Sequence, residues 1–114
     1  MRAGVVLAAL LISATPVAAQ SYARFWSVDK VMRKLDGDRI RVGTRTVRVH
    51  RETTLCAGRG ASIRRDGMRR WRRFLCTYTT FTKSGVGRDV DFRVRVLSRT
   101  RYVVYDAHWV AASQ

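Results

Sequence analysis

Between its two cysteines, Cys56 and Cys76, the chain reads Cys-Ala-Gly-Arg-Gly-Ala-Ser-Ile-Arg-Arg-Asp-Gly-Met-Arg-Arg-Trp-Arg-Arg-Phe-Leu-Cys. Arg64, Arg65, Arg69, Arg70, Arg72 and Arg73 crowd around Trp71 and Phe74. Guanidinium forks grip phosphate oxygens in pairs, and aromatic faces stack on bases or insert at an interface. Basic residues interleaved with aromatics suit single-stranded nucleic acid and anionic membrane surfaces. Arg64, Arg65, Arg69, Arg70, Trp71, Arg72 and Arg73 are therefore the anion-binding candidates. Alternatively, the segment is a solvated loop whose aromatics turn into the core while its arginines face water.

Acid–base chemistry has few carriers. The histidines are His50 and His108, and Glu52 is the only glutamate. Small basic ribonucleases use a Glu base, a His acid and arginine clamps on phosphate, and Glu52 and His108 are the residues available for those parts. Against this, Glu52 pairs equally well with surface arginines, and His108 reads as an exposed strand residue near Asp106. No phosphate-binding glycine loop, HExxH or GxSxG is present. The chain is expected to be non-catalytic, with no cofactor and no metal.

Residues 1–19 read as a secretory signal peptide. Arg2 supplies the positive start, Val5 to Ile12 the apolar run, Pro16 a helix break, and Val17-Ala18-Ala19 the small residues before cleavage. The apolar run falls short of the roughly 20 residues that a membrane span needs. Cleavage after Ala19 leaves Gln20 to Gln114, 95 residues that form a single domain. An exported domain of this size with an even cysteine count implies a disulfide, Cys56 to Cys76. Closing a loop of about 21 residues contributes roughly 3 kcal/mol on the chain-entropy model. Two cysteines so far apart in sequence make a poor metal site.

The formal charge is +15, with 23 Lys and Arg against eight Asp and Glu. A GC-rich coding bias explains arginine over lysine but not the scarcity of acids. A field this positive attracts anionic polymers and surfaces. Outside the cytoplasm these are phosphate-rich wall polymers, lipid headgroups, polysaccharides and free nucleic acid.

The elements that must position these residues follow from periodicity. Ser21 to Leu35 forms a helix with Val28, Val31, Met32 and Leu35 on one stripe, Ser27 as N-cap, and Asp36-Gly37 as the stop. Phe25 and Trp26 staple it to the core. From Asp38 the period becomes two. Ile40 and Val42, then Val47 and Val49, form either a hairpin over Gly43 to Thr46, with Val42 facing Val47, or one long strand bulged at Gly43. Gly58 and Gly60 mark a loop and Asp66-Gly67 a turn. Strands follow at Trp71 to Thr82, Arg88 to Ser98 and Arg101 to Val110. On the last of these, Val103, Tyr105, Ala107 and Trp109 share a face, which leaves His108 with Tyr102, Val104 and Asp106. The resulting fold is α+β, one N-terminal helix packed on a four- to five-stranded antiparallel sheet with one disulfide. Arg39, Arg41, Arg48, Arg93 and Arg95 lie in rows on the sheet's other face.

Cys56-Ala57-Gly58-Arg59-Gly60, Phe74-Leu75-Cys76-Thr77 and the Val-rich pair from Val90 to Tyr105, behind a secretion signal and a short helix, resemble small secreted actinobacterial proteins of unassigned activity. Those proteins have a cystatin-like, peptidase-propeptide-like α+β shape. The resemblance implies a fold and no activity. The Gln-x-Val-x-Gly segment that cystatins present to their targets has no counterpart here. Three functions are therefore in view. The first is an exported binding domain whose basic surface engages an anionic envelope polymer, a membrane surface or nucleic acid. The second is a secreted protein-interaction or inhibitor module with a protein partner. The third is a small basic nuclease. The chain is expected to be a monomer.

Overall fold

The computed structural model describes residues 22–111. The expected signal peptide, the expected cleavage site after Ala19, and Ser21 lie outside the described residues. In chain order the elements are helix α1 (Val28–Leu35), strands β1 (Arg39–Val42) and β2 (Arg45–Arg48), a 3₁₀ turn (Arg51–Thr53), and strands β3 (Thr54–Arg65), β4 (Met68–Phe81), β5 (Gly87–Val96) and β6 (Tyr102–Trp109). All pairings are antiparallel. β1 and β2 form a ribbon of their own, and β3-β4-β5-β6 form a four-stranded meander. The α+β class and the Cys56–Cys76 disulfide are as expected. Among the described residues no helix is long and apolar enough to cross a membrane.

Helix α1 coincides with its apolar stripe and is shorter than the expected Ser21 to Leu35. Trp26 donates its backbone N–H to the Trp71 carbonyl at 2.8 Å and accepts the Trp71 N–H at 2.9 Å, a strand-like bridge. With both of its backbone groups paired across to β4, Trp26 cannot be helical. The helix starts where the Ser27 hydroxyl accepts the Lys30 N–H at 3.1 Å. Its stripe is otherwise as read, with Val31 and Leu35 fully buried and Val28 and Met32 partly so.

The ribbon resolves the ambiguity at Gly43 in favour of a hairpin, with a correction to its register. Ile40 faces Val47 and Val42 faces Arg45, so the turn has two residues, not four. Gly43 has φ 60 at the first turn position, the backbone that a II′ turn requires. Val49 lies past the end of β2 but is fully buried, and it exchanges backbone hydrogen bonds with Gly37 and Asp38 at 2.8 Å each. These bonds seal the ribbon to the end of α1.

The expected loop at Gly58 and Gly60 is instead the middle of β3. Both glycines serve the strand. A Cβ on Gly58 would meet the Trp71 indole at 2.0 Å, so glycine is what lets the ring lie there. Gly60 has φ 73 and sits where the β3–β4 register slips by one residue, between Arg59↔Arg73 and Ser62↔Trp71. Asp66-Gly67 makes the anticipated turn, with φ 54 and 72 between paired Arg65 and Met68, a two-residue I′ hairpin.

On β5, Val90, Phe92, Val94 and Val96 are buried as their alternation predicts. On β6 the predicted face is wrong, because the strand bulges. Arg93 pairs with Tyr105, but Asp91 pairs with His108, and Asp106 takes φ 55 in between. The extra residue switches the side-chain alternation. Tyr102 and Val104 pack on the core before the bulge, and Ala107 and Trp109 after it. The core thus lies between the inner face of the meander and the layer of α1, Trp26 and the ribbon. Each large side chain buried there contributes on the order of 1.5–3 kcal/mol.

Candidate functional site

The outer face of the meander carries a cross-strand row of arginines. The ladder sets Arg59 opposite Arg73, Arg73 opposite Arg95, and Arg95 opposite Val103, one row across all four strands. The next row is Ala57, Leu75, Arg93 and Tyr105. Arg59, Arg72, Arg73 and Arg95 line a groove of about 610 Å³ whose remaining walls include Phe25, Val103 and Tyr105. The bulge at Gly60 shapes this groove. The Arg73 guanidinium runs over Gly60, 3.4 Å from where a Cβ would stand. Arg72 and Arg73 both reach the groove even though they are consecutive, because Trp71 is drawn to the other side by Gly58 and by the bridge to Trp26.

Like charges facing one another across a ladder are destabilising. Among the described residues, none of these four arginines lies within 4.0 Å of a carboxylate. The acids of this face are engaged elsewhere. Asp106 pairs with Arg93 at 3.3 Å. Asp91 and Asp89 accept hydrogen bonds at 2.7 Å from the hydroxyls of Thr77 and Thr79 on the neighbouring strand. Among the described residues these carboxylates are thus engaged further along the face, and the four groove arginines are left without counter-charge.

The seven candidates from the Arg/Trp cluster separate into three places. Arg72 and Arg73 enter the groove. Trp71 does not offer a free stacking face. It packs on Gly58 and meets Phe74 edge-on at 6.2 Å, and the aromatic walls of the groove come from Phe25 and Tyr105 instead. Arg64, Arg65, Arg69 and Arg70 occupy the far end of the β3–β4 hairpin. There Arg69 donates to the Ser62 hydroxyl at 2.8 Å, Arg65 lies 4.7 Å over the Tyr22 ring, and Arg70 is half-buried. The expected face of Arg39, Arg41, Arg48, Arg93 and Arg95 also divides, since the first three belong to the separate ribbon.

Glu52 and His108 are not brought together. Glu52 is exposed in the 3₁₀ turn leading into β3, one edge of the meander, and His108 is exposed on β6, the other edge. Among the described residues no group of three His, Cys, Asp or Glu side chains is placed to hold a metal ion.

Arg59 and Arg95 were not singled out as site residues from sequence, yet they complete the row with Arg73. The signal was present in the cysteines. Facing cysteines fix the register of the hairpin, and counting three residues inward from each places Arg59 opposite Arg73. No family model, curated protein or solved structure matches the chain.

Proposed function

We propose that this chain is an exported, non-catalytic binding domain that holds a linear polyanion against the outer face of its four-stranded sheet. Four arginines from three adjacent strands line one groove, without carboxylate partners among the described residues, and this observation carries the reading. Adjacent strands stand about 4.8 Å apart, so the row from Arg59 to Arg95 spans roughly 10 Å at the backbone. Guanidiniums at that spread suit charges repeated along a polymer better than one compact ion. Phe25 and Tyr105 add apolar walls for the sugar or base between charges. The formal charge of Gln20–Gln114, +14 once Arg2 is removed from the +15 of the full chain, raises the encounter rate with any such polymer. The disulfide and the leader-like residues 1–19 support action outside the cytoplasm.

The test is retention of the Gln20–Gln114 chain on supports carrying a phosphate-rich wall polymer, heparin or anionic lipid. Retention should persist above about 0.15 M salt, where charges beyond roughly 8 Å are screened. Arg73→Gln should weaken it about tenfold or more, the scale of a lost hydrogen bond to a charged group. Retention that vanishes below that salt, or is indifferent to Arg73, would leave only diffuse attraction and refute the reading.

A further inference from the structure

A second concentration of charge lies apart from the groove, at the hairpin end. Lys30 from α1, Arg65 and Arg70 from the β3–β4 hairpin, and Arg99 from the β5–β6 turn line one pocket of about 310 Å³, together with Tyr22 and Asp66. Four cations from three separate parts of the chain converge there around a single acid. We propose that this pocket is a discrete site for one doubly charged tetrahedral oxyanion of the phosphate-monoester type.

Three observations carry the assignment. Arg70 Nε is buried and has no hydrogen-bond partner among the described residues, although burying a guanidinium N–H without an acceptor is costly. Two of the other cations are held in place by aromatic rings, Arg65 over Tyr22 and Lys30 over Trp26, each at 4.7 Å. These arms are thus positioned before any ligand arrives, which lowers the ordering cost of binding. Finally, the crowding is felt by Lys30. Its ammonium is pushed below the usual lysine range, first by burial and then by the charges of Lys34, Arg70, Arg99 and Arg33. A carboxylate presents two oxygens in one plane and a single charge. Donors approaching from a helix, a hairpin and a turn match the several oxygens and double charge of a phosphate monoester.

The site is independent of the groove reading, because it shares with the groove only the wall residue Phe25. The experiment is a titration of the Gln20–Gln114 chain with methyl phosphate at constant ionic strength and about pH 7.5, above the second pKa of a phosphate monoester, about 6. Nitrogen and carbon shifts of Lys30 and the arginine side chains are followed by NMR. The expected result is a saturable one-to-one response at Lys30, Arg70 and Arg99, with the Lys30 titration moving upward. Arg99→Gln, an exposed turn position, should weaken binding about tenfold or more. Arg95→Gln, in the groove, should leave it unchanged. A linear, unsaturated response, or equal weakening by both variants, would overturn the proposal. A parallel titration with methyl sulfate, whose ester carries a single charge, distinguishes the ester type, and methyl sulfate binding as tight as methyl phosphate would overturn the phosphate assignment.

Discussion

The Trp71 indole lies where a side chain on Gly58 would stand, with ring carbons 2.0, 2.3 and 2.4 Å from the position of an added Cβ. This contact connects the core to the groove. It holds Trp71 on the inner face beside Phe74, and it leaves Arg72 and Arg73 to the outer one. Gly58→Ala should therefore displace the ring and destabilise the fold by roughly 1–3 kcal/mol, as overpacking a filled site does. Because Arg72 and Arg73 follow Trp71 directly, polyanion binding should weaken as well. Chemical denaturation and a binding assay on the same variant check both effects. An unchanged midpoint would show that the ring has somewhere else to go.

Tyr102 on β6 donates its hydroxyl to the Asp38 carboxylate, with the Lys34 carbonyl oxygen 3.2 Å away, and so fastens the start of the ribbon and the end of α1 to the sheet. Burial, the hydrogen bond to Asp38 and its negative charge all push the phenol above the ordinary tyrosine range. An acid whose folded pKa is raised contributes its stabilisation below the unfolded pKa, about 10 for tyrosine, and loses it as pH rises toward the folded value. Between those limits the unfolded chain has released a proton that the folded chain retains, so stability falls with pH. Tyr102→Phe should lower stability near neutral pH by roughly 1 kcal/mol. It should also flatten the alkaline decline by up to about 1.4 kcal/mol per pH unit. Denaturation midpoints of both proteins from pH 8 to pH 12 (test conditions, roughly spanning the tyrosine range) decide it. Parallel curves would mean that Tyr102 ionises as it does in water.

Cys56 and Cys76 are direct partners in the β3–β4 ladder, with Cα atoms 4.1 Å apart. Intact protein should take up no thiol label before reduction and two labels after it. Reduction should remove roughly 3 kcal/mol of stability. It should also weaken polymer binding through loss of a fixed Arg59–Arg73 register, since the bridge lies three residues away on both strands. Binding that is unaffected by reduction would show that the bulged hairpin holds its register unaided.

The parts of the fold legible in the sequence are those where one local rule acts alone. β5 was evident because Val90, Phe92, Val94 and Val96 alternate without interruption. The Asp66-Gly67 turn was evident because few other dipeptides accept two residues of positive φ. Sequence reasoning lost the strand at Gly58 and Gly60 because glycine marks loops, bulges and close approaches alike. Two signals combined would have recovered it. Counting back from the turn places Cys56 opposite Thr77, yet the disulfide requires Cys76, so a one-residue bulge must lie between, and Gly60 is where it falls. The bulge at Asp106 carries no comparable marker, since aspartate tolerates positive φ but rarely announces it. For that reason plain alternation puts Val103, Tyr105, Ala107 and Trp109 on one face, a set that the bulge divides. The groove was partly legible, through the Arg72-Arg73 pair, and otherwise depended on which strand became whose neighbour.

The central claim is that the polyanion is held by the groove and not by net charge. The direct measurement compares two triple variants that remove equal charge from different faces. One replaces Arg59, Arg73 and Arg95 with glutamine in the groove. The other replaces Arg39, Arg41 and Arg48, all exposed on the separate ribbon. Binding to a fluorescent single-stranded oligonucleotide is followed as a function of salt. If the groove holds the strand, the first variant should bind more weakly and lose about 2 from the slope of log affinity against log salt, about 0.7 per phosphate contact. The ribbon variant should retain nearly the parent slope. Equal losses in the two variants would contradict the claim and reduce the interaction to the charge of the whole domain.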